Sequence, residues 1–196
     1  MKYVPNALTI ARIIITPLML VALLSNTFPG LVIALVLFIV AAISDYLDGK
    51  IARSYKVRSR LGTFLDPLAD KVLVLGTFVA LIFLVPQVVT WWAVALIAFR
   101  DLAVTLQRMW AEAHGRSLRT LPIAKAKTGV QLGYLIALLA LLVAARLPGA
   151  VGREASRLLD GPIPFIILIL VVGFTVLTGV IYLMRQDYFS SANPSR

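Results

Sequence analysis

An all-α integral membrane protein with six transmembrane helices is the fold class that this sequence predicts. Three observations carry the expectation. The chain is 60% hydrophobic and only 14% charged, whereas soluble domains carry about 25% charged residues. Six apolar stretches, at roughly 8–25, 31–52, 63–85, 88–110, 128–147 and 162–184, come close to or exceed the length needed for a bilayer core of about 30 Å. The basic residues gather in alternate connections. One helical membrane domain over 1–196 fits this length and leaves no room for a second soluble one.

The elements follow in order. Pro5, Asn6 and Thr9 mark a helix start. Asn6 and Thr9 are also candidates to line the mouth of a polar cavity. Arg12 interrupts the first apolar run and speaks against a cleavable signal. Its side chain either snorkels to the interface or faces an anionic ligand. The second stretch runs into Asp45, and the third follows Gly62. The fourth is broken by Arg100 and Asp101, read either as a local ion pair or with Arg100 turned to a polar cavity. Trp91 and Trp92 suit an interfacial aromatic belt. Lys125 and Lys127 precede the fifth stretch, as topology markers or as a phosphate-binding pair. Glycines and alanines in the fifth and sixth stretches permit close helix packing. The tail 190–196 reads as disordered.

Charge placement sets the expected orientation. Connections near 26–30 and 86–90 hold no Lys or Arg. The connection at 50–60 holds Lys50, Arg53, Lys56, Arg58 and Arg60, and that at 108–127 holds Arg108, Arg116, Arg119, Lys125 and Lys127. By the positive-inside rule both termini and both basic connections are cytoplasmic. The connection 146–160 is the exception. It carries Arg146, Arg153 and Arg157 on the expected outer side, partly balanced by Glu154 and Asp160. The net charge of +10 does not indicate nucleic acid, because basic residues divided among membrane loops form no groove. With no cysteine, disulfides and thiolate metal sites are excluded.

The densest chemistry lies at 45–70. Asp45, Asp48, Asp66 and Asp70 are four of the nine acids in the chain. Asp45, Asp48, Gly49 and Ala52 recur at i, i+3, i+4 and i+7, one face of a helix. Gly62, Asp66 and Asp70 recur at i, i+4 and i+8 on the next. A short connection lets the two helices lie antiparallel with these faces opposed. Carboxylates about 4 Å apart repel by roughly 4 kcal/mol per pair at an effective dielectric near 20. They protonate, stay apart or bind cations. An all-oxygen set suits a hard cation such as magnesium, and two ions can share four groups.

The full pattern, Asp-x2-Asp-Gly-x2-Ala-Arg-x8-Gly-x3-Asp-x3-Asp, resembles the motif of the CDP-alcohol phosphotransferase family of membrane enzymes. Pro5, Asn6, Leu8, Thr9 and Arg12, the run Asp66-Pro67-Leu68-Ala69-Asp70-Lys71, and Lys125-Ala126-Lys127-Thr128 resemble its bacterial phosphatidylglycerophosphate-forming branch. Asp101 departs from that pattern, which has glutamate after the arginine, and the stretch between Arg116 and Lys125 is short.

The resemblance implies a multi-pass enzyme of a bacterial inner membrane, with its polar cavity facing the cytoplasm. It implies magnesium at two sites, with manganese as an alternative. CDP-diacylglycerol is the implied donor and glycerol 3-phosphate the implied acceptor. It implies Asp45, Asp48, Asp66 and Asp70 as metal ligands, with Asp70 as general base. Asp48, Gly49, Ala52, Arg53 and Gly62 are implied at the nucleotide. Arg100, Arg108, Lys125 and Lys127 are candidates for the acceptor's phosphate. Asn6, Thr9 and Arg12 are candidate cavity-lining residues. Such enzymes contact membrane lipids and are often homodimers, for which the residues themselves carry no sign.

Two other readings compete. One keeps the chemistry and changes the acceptor to inositol phosphate, serine or another polyol. The other is a cation channel or transporter using the aspartates as an ion site. That reading expects acids near the midplane with broken or repeated helices, whereas these acids sit at helix ends beside basic residues.

Overall fold

The computed structural model describes the backbone of residues 4–55, 60–113 and 122–190 and the side chains of 11–44, 71–107, 109–110 and 126–181. Seven helices occur among the described residues: α1 (Val4–Leu24), α2 (Phe28–Tyr55), α3 (Arg60–Leu84), α4 (Trp91–Ala113), α5 (Pro122–Ala144), α6 (Ala150–Asp160) and α7 (Ile163–Ser190). No strand occurs among them. The six apolar stretches each fall on a helix. The connection 146–160 differs from the sequence reading, because it contains the seventh. Its periodicity explains this: Gly152, Ala155 and Leu159 recur on one face and are buried. Glu154 accepts a 2.8 Å bond from Arg157 one turn later, on the exposed side.

Polarity is distributed inside out. Ile14, Leu18 and Val21 of α1, Phe83 of α3, Phe99 and Leu106 of α4, and Leu170 and Leu177 of α7 are all exposed. Arg12, Thr16, Asp101, Lys127, Gln131, Thr175 and Thr178 are buried. Water penalises apolar faces of that extent, and a bilayer does not. Among the described residues, Ala126–Ala144 and Ile163–Ile181 are long and apolar enough to cross a membrane. Ala11–Leu24, Phe28–Ser44 and Lys71–Leu84 are shorter apolar helical segments.

The core fixes which helices meet. α1 packs on α2 and α3, and α5 touches α2, α3, α6 and α7. α4 packs on α3 and α7. Met19, Phe38, Leu73, Phe78, Leu81, Ile97, Leu135 and Leu139 are fully buried at these contacts. Phe78 of α3 stacks on Tyr134 of α5 with ring centroids 6.2 Å apart.

The α1–α2 hairpin has local causes. Asn26 takes a left-handed φ of 51°, which ends α1. Thr27 caps α2, its Oγ1 accepting from the Gly30 amide at 3.2 Å. A Cβ at Gly30 would stand 2.6 Å from the Ala22 carbonyl oxygen and 2.0 Å from Ser25 Oγ, so the tight turn requires glycine there. Arg146, just beyond α5, reaches Asn26 Oδ1 at 2.7 Å. The 26–30 and 146–160 connections therefore share one end of the bundle.

Candidate active site: acidic helix ends and a buried polar seam

The four aspartates fall on helical backbone. Asp45 and Asp48 lie in α2, with Gly49, Ala52 and Arg53 after them. Gly62, Asp66 and Asp70 lie in α3. Helical geometry makes α2 about 42 Å long at 1.5 Å per residue. Asp45 follows Phe28 by about 26 Å of rise, so the acids lie in the part of α2 farthest from the 26–30 turn. Their side chains, and those of Asn6, Thr9, Arg53, Arg108 and Lys125, lie outside the described residues. The donor set, four carboxylates on two consecutive helices, has the chemistry of a divalent-cation site.

The described part of the polar interior is a seam joining α4, α5 and α7. Asp101 on α4 is its hub. Its Oδ1 accepts from Lys127 Nζ on α5 at 2.5 Å and from Arg100 Nη1 at 3.3 Å. All three charged groups are buried or nearly so. Arg100 also crosses to α7, donating from Nε to the Thr175 carbonyl at 3.1 Å and from Nη2 to Thr178 Oγ1 at 3.2 Å. Thr178 Oγ1 in turn donates to the Thr175 carbonyl at 2.8 Å. Gln131 of α5 extends the seam, donating from Nε2 to Thr175 Oγ1 at 3.1 Å. Such a network holds its side chains well because each bond is charge-assisted or desolvated. Removing one partner of a buried ion pair costs about 3–5 kcal/mol.

α7 accommodates this through Gly179. A Cβ there would stand 2.8 Å from Arg100 Cγ and 3.0 Å from its Nε. Glycine is therefore what lets the arginine lie flat along α7.

Of the expected site residues, Arg12, Arg100 and Lys127 have described side chains. Arg12 is 2% exposed in α1, and its carbonyl accepts from Thr16 Oγ1 at 2.8 Å. It is inside the protein and does not snorkel. Arg100 and Lys127 meet at Asp101. The Arg100–Asp101 pair is the local ion pair of the first reading, and Arg100 also turns to α7 in the buried seam; the aspartate side chains of the second reading lie outside the described residues. The sequence reading missed Gln131, Thr175, Thr178 and Gly179. A signal was present, since Thr175, Thr178 and Gly179 share one face of an otherwise apolar helix at i, i+3 and i+4.

The model of the CDP-alcohol phosphatidyltransferase family matches residues 2–184. The chain belongs to that family. A protein of Yersinia enterocolitica named CDP-diacylglycerol--glycerol-3-phosphate 3-phosphatidyltransferase is 33% identical over 142 residues, 69% of this chain and 76% of the relative. A protein of that name from Pectobacterium atrosepticum is 36% identical over 143 residues, with the same coverage. A Mycobacterium bovis protein provisionally named a cardiolipin synthase is 33% identical over 135 residues, covering 68% of this chain and 61% of its own length. For this phosphatidyltransferase family member, the channel reading falls away. The seam then becomes part of the interior of a membrane enzyme.

Proposed function

We propose that this CDP-alcohol phosphatidyltransferase moves a phosphatidyl group from CDP-diacylglycerol to sn-glycerol 3-phosphate in phospholipid biosynthesis. The products are phosphatidylglycerol phosphate and CMP. The observation that carries this reading is the complete eight-residue motif on α2 and α3, within a chain whose similar relatives are named for that reaction.

In this reading, the acceptor's hydroxyl oxygen attacks the lipid-bearing phosphorus of the diphosphate. The new P–O bond forms as the bond to CMP breaks. Asp70 takes the hydroxyl proton. A carboxylate near cations is a modest base, so alignment supplies much of the rate. Asp45, Asp48, Asp66 and Asp70 would hold two magnesium ions, which when bound neutralise charge on the diphosphate and the leaving nucleotide. Gly49, Ala52 and Gly62 leave room for the nucleotide, while Arg53 pairs with its phosphates. Arg108, Lys125 and Lys127 hold the phosphate of the acceptor, with Arg100 supporting them from the seam. The acyl chains stay in the bilayer, and the site faces the cytoplasm of a bacterial inner membrane.

A second acceptor, phosphatidylglycerol, is favoured by the relative named for cardiolipin synthesis. The purified protein, given CDP-diacylglycerol, magnesium and a panel of alcohols, separates these by mass spectrometry of the lipid products. Phosphatidylglycerol phosphate formed together with CMP supports the first reading. Cardiolipin from added phosphatidylglycerol, with no phosphatidylglycerol phosphate from glycerol 3-phosphate, replaces it by the second.

A further inference from the structure

We infer that Asp101 is a positioning residue for acceptor recognition, and that α7 takes part through the notch at Gly179. The inference rests on the reading that Lys127 holds the phosphate of the acceptor. It adds to that reading a second layer of residues, none of which lies in the acidic motif.

A lysine ammonium sits on a flexible four-carbon stem and has no direction of its own. Lys127 is only 7% exposed and bonds Asp101 Oδ1 at 2.5 Å, which fixes where its charge sits. That oxygen is steadied by Arg100. Arg100 is itself fixed by a backbone carbonyl and a hydroxyl of α7. Three helices thus set the position of one ammonium group. Thr175 and Gln131 tie α7 to α5 beside it. A lysine serving only as a topology marker would lie at the interface and need no such support.

Gly179→Ala tests the chain of positioning without changing any charge. Its methyl group would meet Arg100 at Cγ and Nε and push the guanidinium off the Thr175 carbonyl. Gly173→Ala is the control, because a Cβ at Gly173 meets nothing within 4 Å and the helix-propensity change is the same. Asp101→Asn removes the hub charge directly. The readouts are KM for each substrate, kcat, and the folded fraction by size-exclusion chromatography in detergent.

The expected result is a rise in KM for glycerol 3-phosphate of about tenfold or more in Gly179→Ala and in Asp101→Asn, in line with other outer positioning partners. KM for CDP-diacylglycerol and the values for Gly173→Ala stay near wild type. A merely structural role would lower the folded fraction and apparent kcat and leave the acceptor KM alone. That outcome, or equal rises in both KM values, overturns the inference. If Asp101→Asn does not fold, Gly179→Ala decides alone. If the wild-type protein turns over only another alcohol, the acceptor reading fails, and the positioning role is judged by the KM of that alcohol.

Discussion

Arg146 Nη2 donates to Asn26 Oδ1 at 2.7 Å, joining two connections 120 residues apart. One follows α1 and the other follows α5. An odd number of crossings precedes each if α1 to α5 all span the bilayer. The bond therefore agrees with the alternation of spans, which puts both connections on the same side of the membrane.

A topology experiment follows. Single cysteines at Asn26 and Arg146 will react with a membrane-impermeant maleimide added to intact cells. Cysteines at Lys56 and Arg119 will react only after the membrane is opened. Labelling of Asn26→Cys and Arg146→Cys from opposite sides would contradict the shared end seen here.

The acidic motif gives the second prediction. Under the proposed reading, Asp45→Asn and Asp66→Asn would each remove a charged metal ligand and keep the side-chain size. Magnesium-dependent CMP release should fall by about a hundredfold or more, the scale seen when a group stabilising developing charge is lost. Insertion and detergent behaviour should match wild type, because the cost falls on ion binding and not on the apolar core. Retained activity in either variant would remove that residue from the ligand set.

Much of this was legible in the sequence, and the reasons differ by element. α7 announces itself by an apolar run long enough to cross a bilayer. α6 does not, because Arg153, Glu154, Arg157 and Asp160 break up its apolar residues and its length of 11 residues is short beside a membrane span. The four acids stand out in the sequence because carboxylates near a bilayer demand compensation, while their side chains lie outside the described residues. The seam was only half legible. Arg100, Asp101 and Lys127 stand out as charges, but their mutual bonding joins residues 26 positions apart and needs the fold. Thr175, Thr178 and Gly179 share a helix face, but they are small and weakly polar, so that spacing does not by itself mark them as the cradle of an arginine.

The core supplies a stability prediction. Phe78 is fully buried and stacks on Tyr134, whose hydroxyl donates to the Pro164 carbonyl at 3.3 Å. Phe78→Ala should destabilise the protein by about 3 kcal/mol or more, the usual cost of the cavity left behind. Thermal unfolding in detergent should show a clearly lowered Tm, while Phe83→Ala, on an exposed residue of the same helix, should change little. Equal effects of the two would mean that the α3–α5 contact does not form the core.

Asp70→Asn separates binding from chemistry. If Asp70 accepts the proton of the attacking hydroxyl, its amide variant loses turnover far more than donor binding. General-base removal costs about 10²–10⁴-fold in rate, while loss of one of several ligands should weaken CDP-diacylglycerol binding less. Titration calorimetry with the donor lipid in magnesium, beside single-turnover CMP release, measures both. Parallel losses in binding and turnover would make Asp70 a ligand only, leaving the hydroxyl proton to water or to the phosphate of the acceptor.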